Sequence, residues 1–201
     1  MGVDKVILRA FLSTLAAVVA LFLFLVIALI GLYPSTMMEL TYDLGMDTAS
    51  VRYAERAYKA SDDIYYIAYA TEVAIGDSNY GKIVSCGERF IADENFGAYC
   101  AEKNASAPEN TVGSYEQYVY GQVCMAKYLR GEKSAAVERA FELLGEGFAY
   151  NNAVVAVLIK AKQSEDTETV VLIKEKMKER QESVPTLDAE YFNAILALTM
   201  E

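Results

Sequence analysis

The chain has 201 residues, 18 basic against 28 acidic side chains, a formal net charge of −10, 54% hydrophobic residues and no histidine. An acidic balance of that size repels phosphate backbones and anionic headgroups, which argues against nucleic-acid binding and against flat adhesion to a membrane surface. The missing histidine removes the usual general base, the His-containing zinc sites and every Ser-His or Cys-His nucleophilic pair.

Residues 10–33 carry no charge and are dominated by Leu, Val, Ala, Phe and Ile. At about 1.5 Å of rise per residue such a helix reaches roughly 36 Å, enough to cross a hydrocarbon core of about 30 Å. Residues 1–9 hold Lys5 and Arg9 against Asp4, whereas the first charges after the apolar run are Glu39, Asp43 and Asp47. The positive-inside bias therefore predicts a cytoplasmic N-terminus and an extracytoplasmic chain from Pro34 onward. A cleaved signal peptide is the competing reading. Its apolar core would be about 7–15 residues long before a small-x-small site, and Gly31-Leu32-Tyr33-Pro34 offers none. Val6 stands where a myristoylation signal needs Ser or Thr, so no lipid anchor is expected.

Residues 34–46 are expected to form a juxtamembrane segment and residues 47–201 one helical domain, with no second membrane crossing. Asp47 caps a helix predicted over 47–60. Ser61, Asp62 and Asp63 place acceptors and negative charge where the next helix begins, and that helix stops at Gly76. Asp77 or Ser78 restarts a helix reaching about residue 93. Residues 93–113 show no sustained period and read as an irregular insert or long connection, with room for a short helix around Tyr99. Ser114 and Gln117 form a capping box for a helix ending at Gly131, and Ser134 opens a partner ending near Gly145. Segments 152–163 and 166–181 follow, and a last helix starts after Pro185. Its Tyr191, Phe192, Ile195, Leu196 and Leu198 are too apolar for a free tail and are expected to dock. The expected fold class is all-α: one N-terminal transmembrane helix followed by a short α-solenoid of antiparallel helix hairpins.

Ile75-Gly76-Asp77 and Leu129-Arg130-Gly131-Glu132 resemble the inter-helix turn of tetratricopeptide-type repeats. Alignment on those glycines puts Tyr65 and Tyr120 at the first large position of the leading helix and Ala68 and Val123 three residues on. Cys124 and Ala136 fall at the family's small positions. Tyr69 departs from the pattern where a small residue is expected, and Phe148 where a closing Pro is expected. Gly76 and Gly131 are 55 residues apart, which is not a multiple of 34. The resemblance implies a concave surface for a protein or peptide partner, with no activity attached.

Gly76-Asp77-Ser78-Asn79-Tyr80-Gly81-Lys82-Ile83 meets the glycine and lysine positions of a phosphate-binding loop but fails at Ile83, which has no hydroxyl for Mg²⁺. Its upstream segment carries helix-capping chemistry, so a helix-turn-helix elbow is the preferred reading. Asp62 with Asp63, and Glu165 with Asp166 and Glu168, are explained by capping. Neither enzymatic activity, nor a metal, nor a cofactor, nor nucleotide binding is expected. The segment 160–182 reads as an amphipathic helix with a solvated charged face, and Asn104-Ala105-Ser106 fits the glycosylation acceptor pattern.

Cys86, Cys100 and Cys124 lack Cys-x-x-Cys spacing. In an oxidising compartment Cys86 and Cys100 are the closest pair for a disulfide; the alternative is three small buried core residues. Fifteen tyrosines without a tryptophan are unusual. Core packing accounts for most, but adjacent rings cannot all point inward, so Tyr66 or its neighbour must be partly exposed. Tyr66, Tyr69, Tyr99, Tyr115 and Tyr118 are accordingly the candidate partner-binding residues. The expected role is scaffolding or assembly through a protein or peptide partner, with the bilayer contacted by the anchor. The alternative is an accessory subunit of a larger membrane complex that uses its anchor and residues 36–44. A single cysteine placed after Pro34, with the native three replaced, should react with a membrane-impermeant thiol reagent in intact cells. Labelling that requires lysis would reverse the orientation.

Overall fold

The structure, a computed structural model, describes residues 3–108, 111, 113–144, 153–183, 193–195 and 197, and these contain helices and no strand. The chain divides into two compact units, Met1–Asp63 and Ile64–Glu201.

In the first unit, α1 (Val3–Leu32) is about 45 Å long at 1.5 Å per residue. Its stretch Val6–Ala28 has a mean hydropathy of 2.8 and no buried residue, so it is long and apolar enough to cross a bilayer. Its two hydroxyls, Ser13 and Thr14, donate back to the Ala10 carbonyl at 2.9 and 3.0 Å. Such back-bonding satisfies polar groups that lipid could not. Tyr33 breaks the helix, and Pro34, whose fixed φ suits a first helical position, starts α2 (Pro34–Asp43). The segment expected as a juxtamembrane linker is thus largely helical. α3 (Asp47–Ser61) packs on α2 through Met38, Val51, Ala54 and Ala57. Expected with the helices that follow, α3 lies instead in the first unit.

The second unit contains α4 (Ile64–Gly76), α5 (Tyr80–Ile91), α6 (Phe96–Ala105), α7 (Tyr115–Leu129), α8 (Lys133–Glu142), α9 (Ala153–Gln163) and α10 (Thr167–Ser183). α5 packs on α4 and α7, α9 on α7, α8 and α10, and α6 on α7.

One corner recurs. After α2, α4, α7 and α9 the chain spends three residues before the next helix, and the middle one is left-handed: Gly45 (φ 68), Ser78 (φ 53), Gly131 (φ 85) and Glu165 (φ 54). Each makes the same pair of closing bonds, seen in Gly131 N–H to Tyr128 O at 2.9 Å and Glu132 N–H to Lys127 O at 3.1 Å. These are Schellman closures, which satisfy the last carbonyls of the helix. Glycine takes that conformation at no steric cost; Ser78 and Glu165 take it against the usual preference of side-chain-bearing residues.

Several expected helix starts shift for this reason. Ser78 is the left-handed residue, so Asn79 caps α5, its Oδ1 accepting from Lys82 N–H at 3.2 Å. Ser61 and Asp62 close α3 instead of opening α4: Asp62 is left-handed (φ 56) and its N–H bonds Tyr58 O at 2.7 Å. α8 starts at Lys133, one residue before Ser134. Ser114 does cap α7, accepting from Gln117 N–H at 3.2 Å. The return bond of the capping box is not made, because Gln117 Oε1 is buried with no hydrogen-bond partner. Part of the expected irregular insert is α6, which buries Phe96 and Cys100 one turn apart. The expected helix ends at Gly145 and beyond Pro185, and Phe148, Tyr191, Phe192, Leu196 and Leu198, lie outside the described residues.

The main core lies among α7, α8, α9 and α10, with Val137, Phe141, Val154, Leu158, Ile173 and Met177 at its centre. Ile195, 2% exposed, joins it, so this part of the C-terminal segment docks on the helices before it. Polar ties cross the same helices. Asp166 caps α10 through Thr169 N–H at 3.2 Å, and accepts from Tyr128 Oη at 2.9 Å on α7 and Lys133 Nζ at 2.8 Å on α8. The Lys133 contact, and then the Thr169 and Tyr128 hydrogen bonds, outweigh burial and hold this carboxyl far below the ordinary aspartate range. Glu88 on α5 pairs with Lys127 Nζ at 2.8 Å and Arg139 Nη2 at 2.8 Å.

Where α5 meets α7, Gly87 is buried against Val123: a Cβ at this position would stand 2.3 Å from Val123 Cγ2. Gly87→Ala should therefore lower stability by about 1–3 kcal/mol. Chemical denaturation of the single variant and of Gly87→Ala with Val123→Ala checks this, the second substitution recovering part of the loss.

Candidate functional site

Phe90, fully buried on α5, organises the aromatic cluster. Phe96, Tyr99 and Tyr115 present to it at ring-centroid distances of 4.9, 5.4 and 6.5 Å, all edge to face. That geometry lets the positive ring edge meet a negative face. Tyr99 and Tyr115 then lie 6.1 Å apart, and Tyr115 lies 6.3 Å from Tyr118. Of the five expected partner-binding tyrosines, the structure brings these three together. Tyr66 and Tyr69 are half-buried on α4, and it is their neighbour Tyr65 that is exposed, at 51%. Tyr65 meets Tyr66 edge-on at 5.6 Å and Tyr69 at a tilt at 6.4 Å.

Charges complete the cluster. Tyr115 donates its hydroxyl to Glu72 Oε1, and Lys103 Nζ reaches the same oxygen at 3.3 Å. Asn104 Oδ1 accepts the Tyr115 backbone N–H at 2.7 Å, fastening the end of α6 to the start of α7. Beside Lys103 opens a cavity of about 350 Å³ lined by Tyr65, Tyr99, Glu102, Lys103 and Ser106.

A second concavity, of about 290 Å³, runs between α7 and α9. Tyr118, Met125, Val155 and Ile159 supply apolar wall, and Ser114, Gln117 and Gln122 supply hydroxyl and amide groups. Its floor is narrow because Gly121 faces Ala156 Cβ, 3.4 Å from where a glycine Cβ would stand. Tyr118 and Ile159, 47% and 48% exposed, form its rims. Sequence reasoning missed the α9 side of this groove. The available signal is that α9 is apolar all round (Ala153-Val154-Val155-Ala156-Val157-Leu158-Ile159), so some apolar side chains must face outward.

Cys86, Cys100 and Cys124 are buried thiols not joined by a disulfide, so the Cys86–Cys100 bridge weighed from the sequence is not formed. Burial, aided by Glu116, pushes the Cys100 thiol up to about 12; burial, with the charge of Glu88, does the same for Cys124. The stretch with phosphate-loop spacing is the α4–α5 corner and the first turn of α5, preceded by a helix.

No protein-family model, no curated protein and no solved structure matches this chain.

Burial raises the hydroxyl pKa of Tyr99, Tyr115, Tyr118, Tyr120 and Tyr128 above its ordinary value. Carboxylates add to it: Glu72 for the first three, Glu116 for Tyr120 and Asp166 for Tyr128. An unfolded chain releases these protons near pH 10, whereas the folded one retains them. Above that pH the unfolded state binds fewer protons, so stability, complete below about pH 9, falls as pH rises from 10 to 12. Melting temperatures of the full chain in a nonionic detergent should show the fall. Tyr115→Phe, which keeps the ring and removes an ionisable hydroxyl, should make it shallower.

Proposed function

We propose that this chain is a single-pass anchored protein, N-terminus in the cytoplasm, whose extracytoplasmic domain is a tetratricopeptide-like stack of antiparallel helix hairpins binding a protein or peptide partner. The left-handed corner residues Gly45, Ser78, Gly131 and Glu165 support the repeat reading, because they follow one another at intervals of 33, 53 and 34 residues. One equals the 34-residue repeat length and another falls one residue short of it, and the long middle interval contains α6. The glycine alignment drawn from the sequence missed this register, since the equivalent of Gly131 is Ser78 and not Gly76.

The observation that carries the function is the apolar groove between α7 and α9, rimmed by exposed Tyr118 and Ile159. Tyrosine and apolar anchors around a concave surface, with Ser and Gln groups placed for peptide hydrogen bonds, suit a bound protein segment. With no histidine in the chain, and with Glu72, Glu88 and Asp166 occupied in hydrogen bonds and ion pairs between helices, a scaffolding or assembly role fits these groups better than catalysis. The anchor concentrates that role at a membrane.

Site-specific photo-crosslinking in the native membrane tests the reading. A crosslinker at Tyr118 or Ile159 should give one discrete product that a crosslinker at Val171, equally exposed on α10, does not. Products arising only from α1 positions such as Leu15 would instead favour an accessory subunit held by its anchor.

A further inference from the structure

Lys103, in the last turn of α6, places its Nζ 5.4 Å from the Tyr99 ring centroid, 5.7 Å from that of Tyr115 and 3.3 Å from Glu72 Oε1. Two aromatic faces and a carboxylate around one ammonium is the arrangement by which proteins hold cationic ligands. In this chain the ligand is one of its own side chains.

The aromatic walls are braced by buried Phe90, whereas the occupant is half-exposed. Tyr99 and Tyr115 are held edge-on to buried Phe90, and the Tyr115 hydroxyl orients the Glu72 carboxylate. Lys103 is 43% exposed, sits on a flexible four-carbon stem, and borders the cavity lined by Tyr65, Glu102 and Ser106. A preorganised receptor with a replaceable internal ligand offers little barrier to exchange for an external one of the same kind.

We propose that the Tyr99–Tyr115–Glu72 cage receives a lysine side chain from the protein partner, with Lys103 filling it in the partner's absence and swinging into solvent on binding. The occupant is a lysine because the group already seated is a primary ammonium that meets Glu72 directly. The net charge of −10 favours approach of a basic partner. The cavity beside the cage, with Tyr65 and Glu102, takes the stem and neighbouring residues of the incoming segment. This inference rests on the partner-binding reading above and names the chemistry of that partner. Lys103 then acts as a competitor, weakening capture by about tenfold, as expected for one exposed ion pair and its cation–π contacts.

The test uses the full chain in a nonionic detergent, titrated with N-acetyl-lysine methylamide and with its uncharged norleucine analogue, and followed by tyrosine-ring NMR shifts. Lys103→Met should bind the lysine probe about tenfold more tightly than the parent and ignore norleucine, and adding Glu72→Gln should abolish the gain. Lys103→Gln supplies the same comparison if Lys103→Met alters the circular dichroism. Equal binding by parent and variant, undiminished binding after Glu72→Gln, or preference for tetramethylammonium over the lysine probe would overturn the proposal. Crosslinking through Tyr118 and Ile159 that persists while the probe fails to bind would overturn the cage alone and leave the groove reading standing.

Discussion

Each of four helices ends on a residue forced into the left-handed region, and the residue after it is already the boundary of the next helix. This three-residue corner is the constraint on which the remaining architecture depends. It closes the carbonyl end of one helix with two backbone bonds and leaves no slack for the following helix to wander. Neighbouring helices must then find each other's apolar faces at once. Helices not joined by a corner also approach closely, Gly87 of α5 against Val123 of α7 and Gly121 of α7 against Ala156 of α9. The corner is also the place where sequence and backbone are in tension, since only Gly45 and Gly131 occupy it without a side chain.

What the corners do not fix, α6 supplies. It enters between two helix pairs, covers Phe90 with Phe96 and Tyr99, and delivers Lys103 to Glu72 and Asn104 to the start of α7. The aromatic cluster is thus a joint product of α4, α5, α6 and α7, and no single helix carries it. Ion pairs tie helices elsewhere: Glu88 joins α5 to α7 and α8, and Asp166 joins α10 to α7 and α8. Because the Asp166 side chain is only 7% exposed and receives four donor groups, its removal would leave two hydroxyls, an ammonium and a backbone N–H without this acceptor.

Much of this was legible in the chain. The uncharged stretch behind Lys5 and Arg9 announces α1, the Ser114 cap announces α7, and the apolar character of Ile195 announces its docking. Legibility failed where tertiary context overrode local chemistry. Ser61, Asp62 and Ser78 are good cap residues, yet the backbone uses Asp62 and Ser78 for left-handed turns, which glycine more often signals. α6 has no long apolar period because only Phe96 and Cys100 are buried, Tyr99 is half-buried against Phe90, and the rest of its surface is solvated. Of the tyrosines, Tyr115 and Tyr118 are recognisable from their place after the cap. The exchange of roles between Tyr65 and Tyr66 depends on how α4 is rotated, which neighbouring rings on one helix do not reveal.

The three thiols carry a consequence for the compartment proposed for this domain. In an oxidising space an odd set of cysteines invites mispairing, and the reactive species is the thiolate. Burial pushes Cys100 and Cys124 up to about 12 and all three cysteines are buried, which disfavours the reactive thiolate and access to it in the folded protein. Protection is a property of the fold and not of the residues. A copy that opens exposes three nucleophiles at once, so oxidation would lock in the damaged molecules and spare the intact ones.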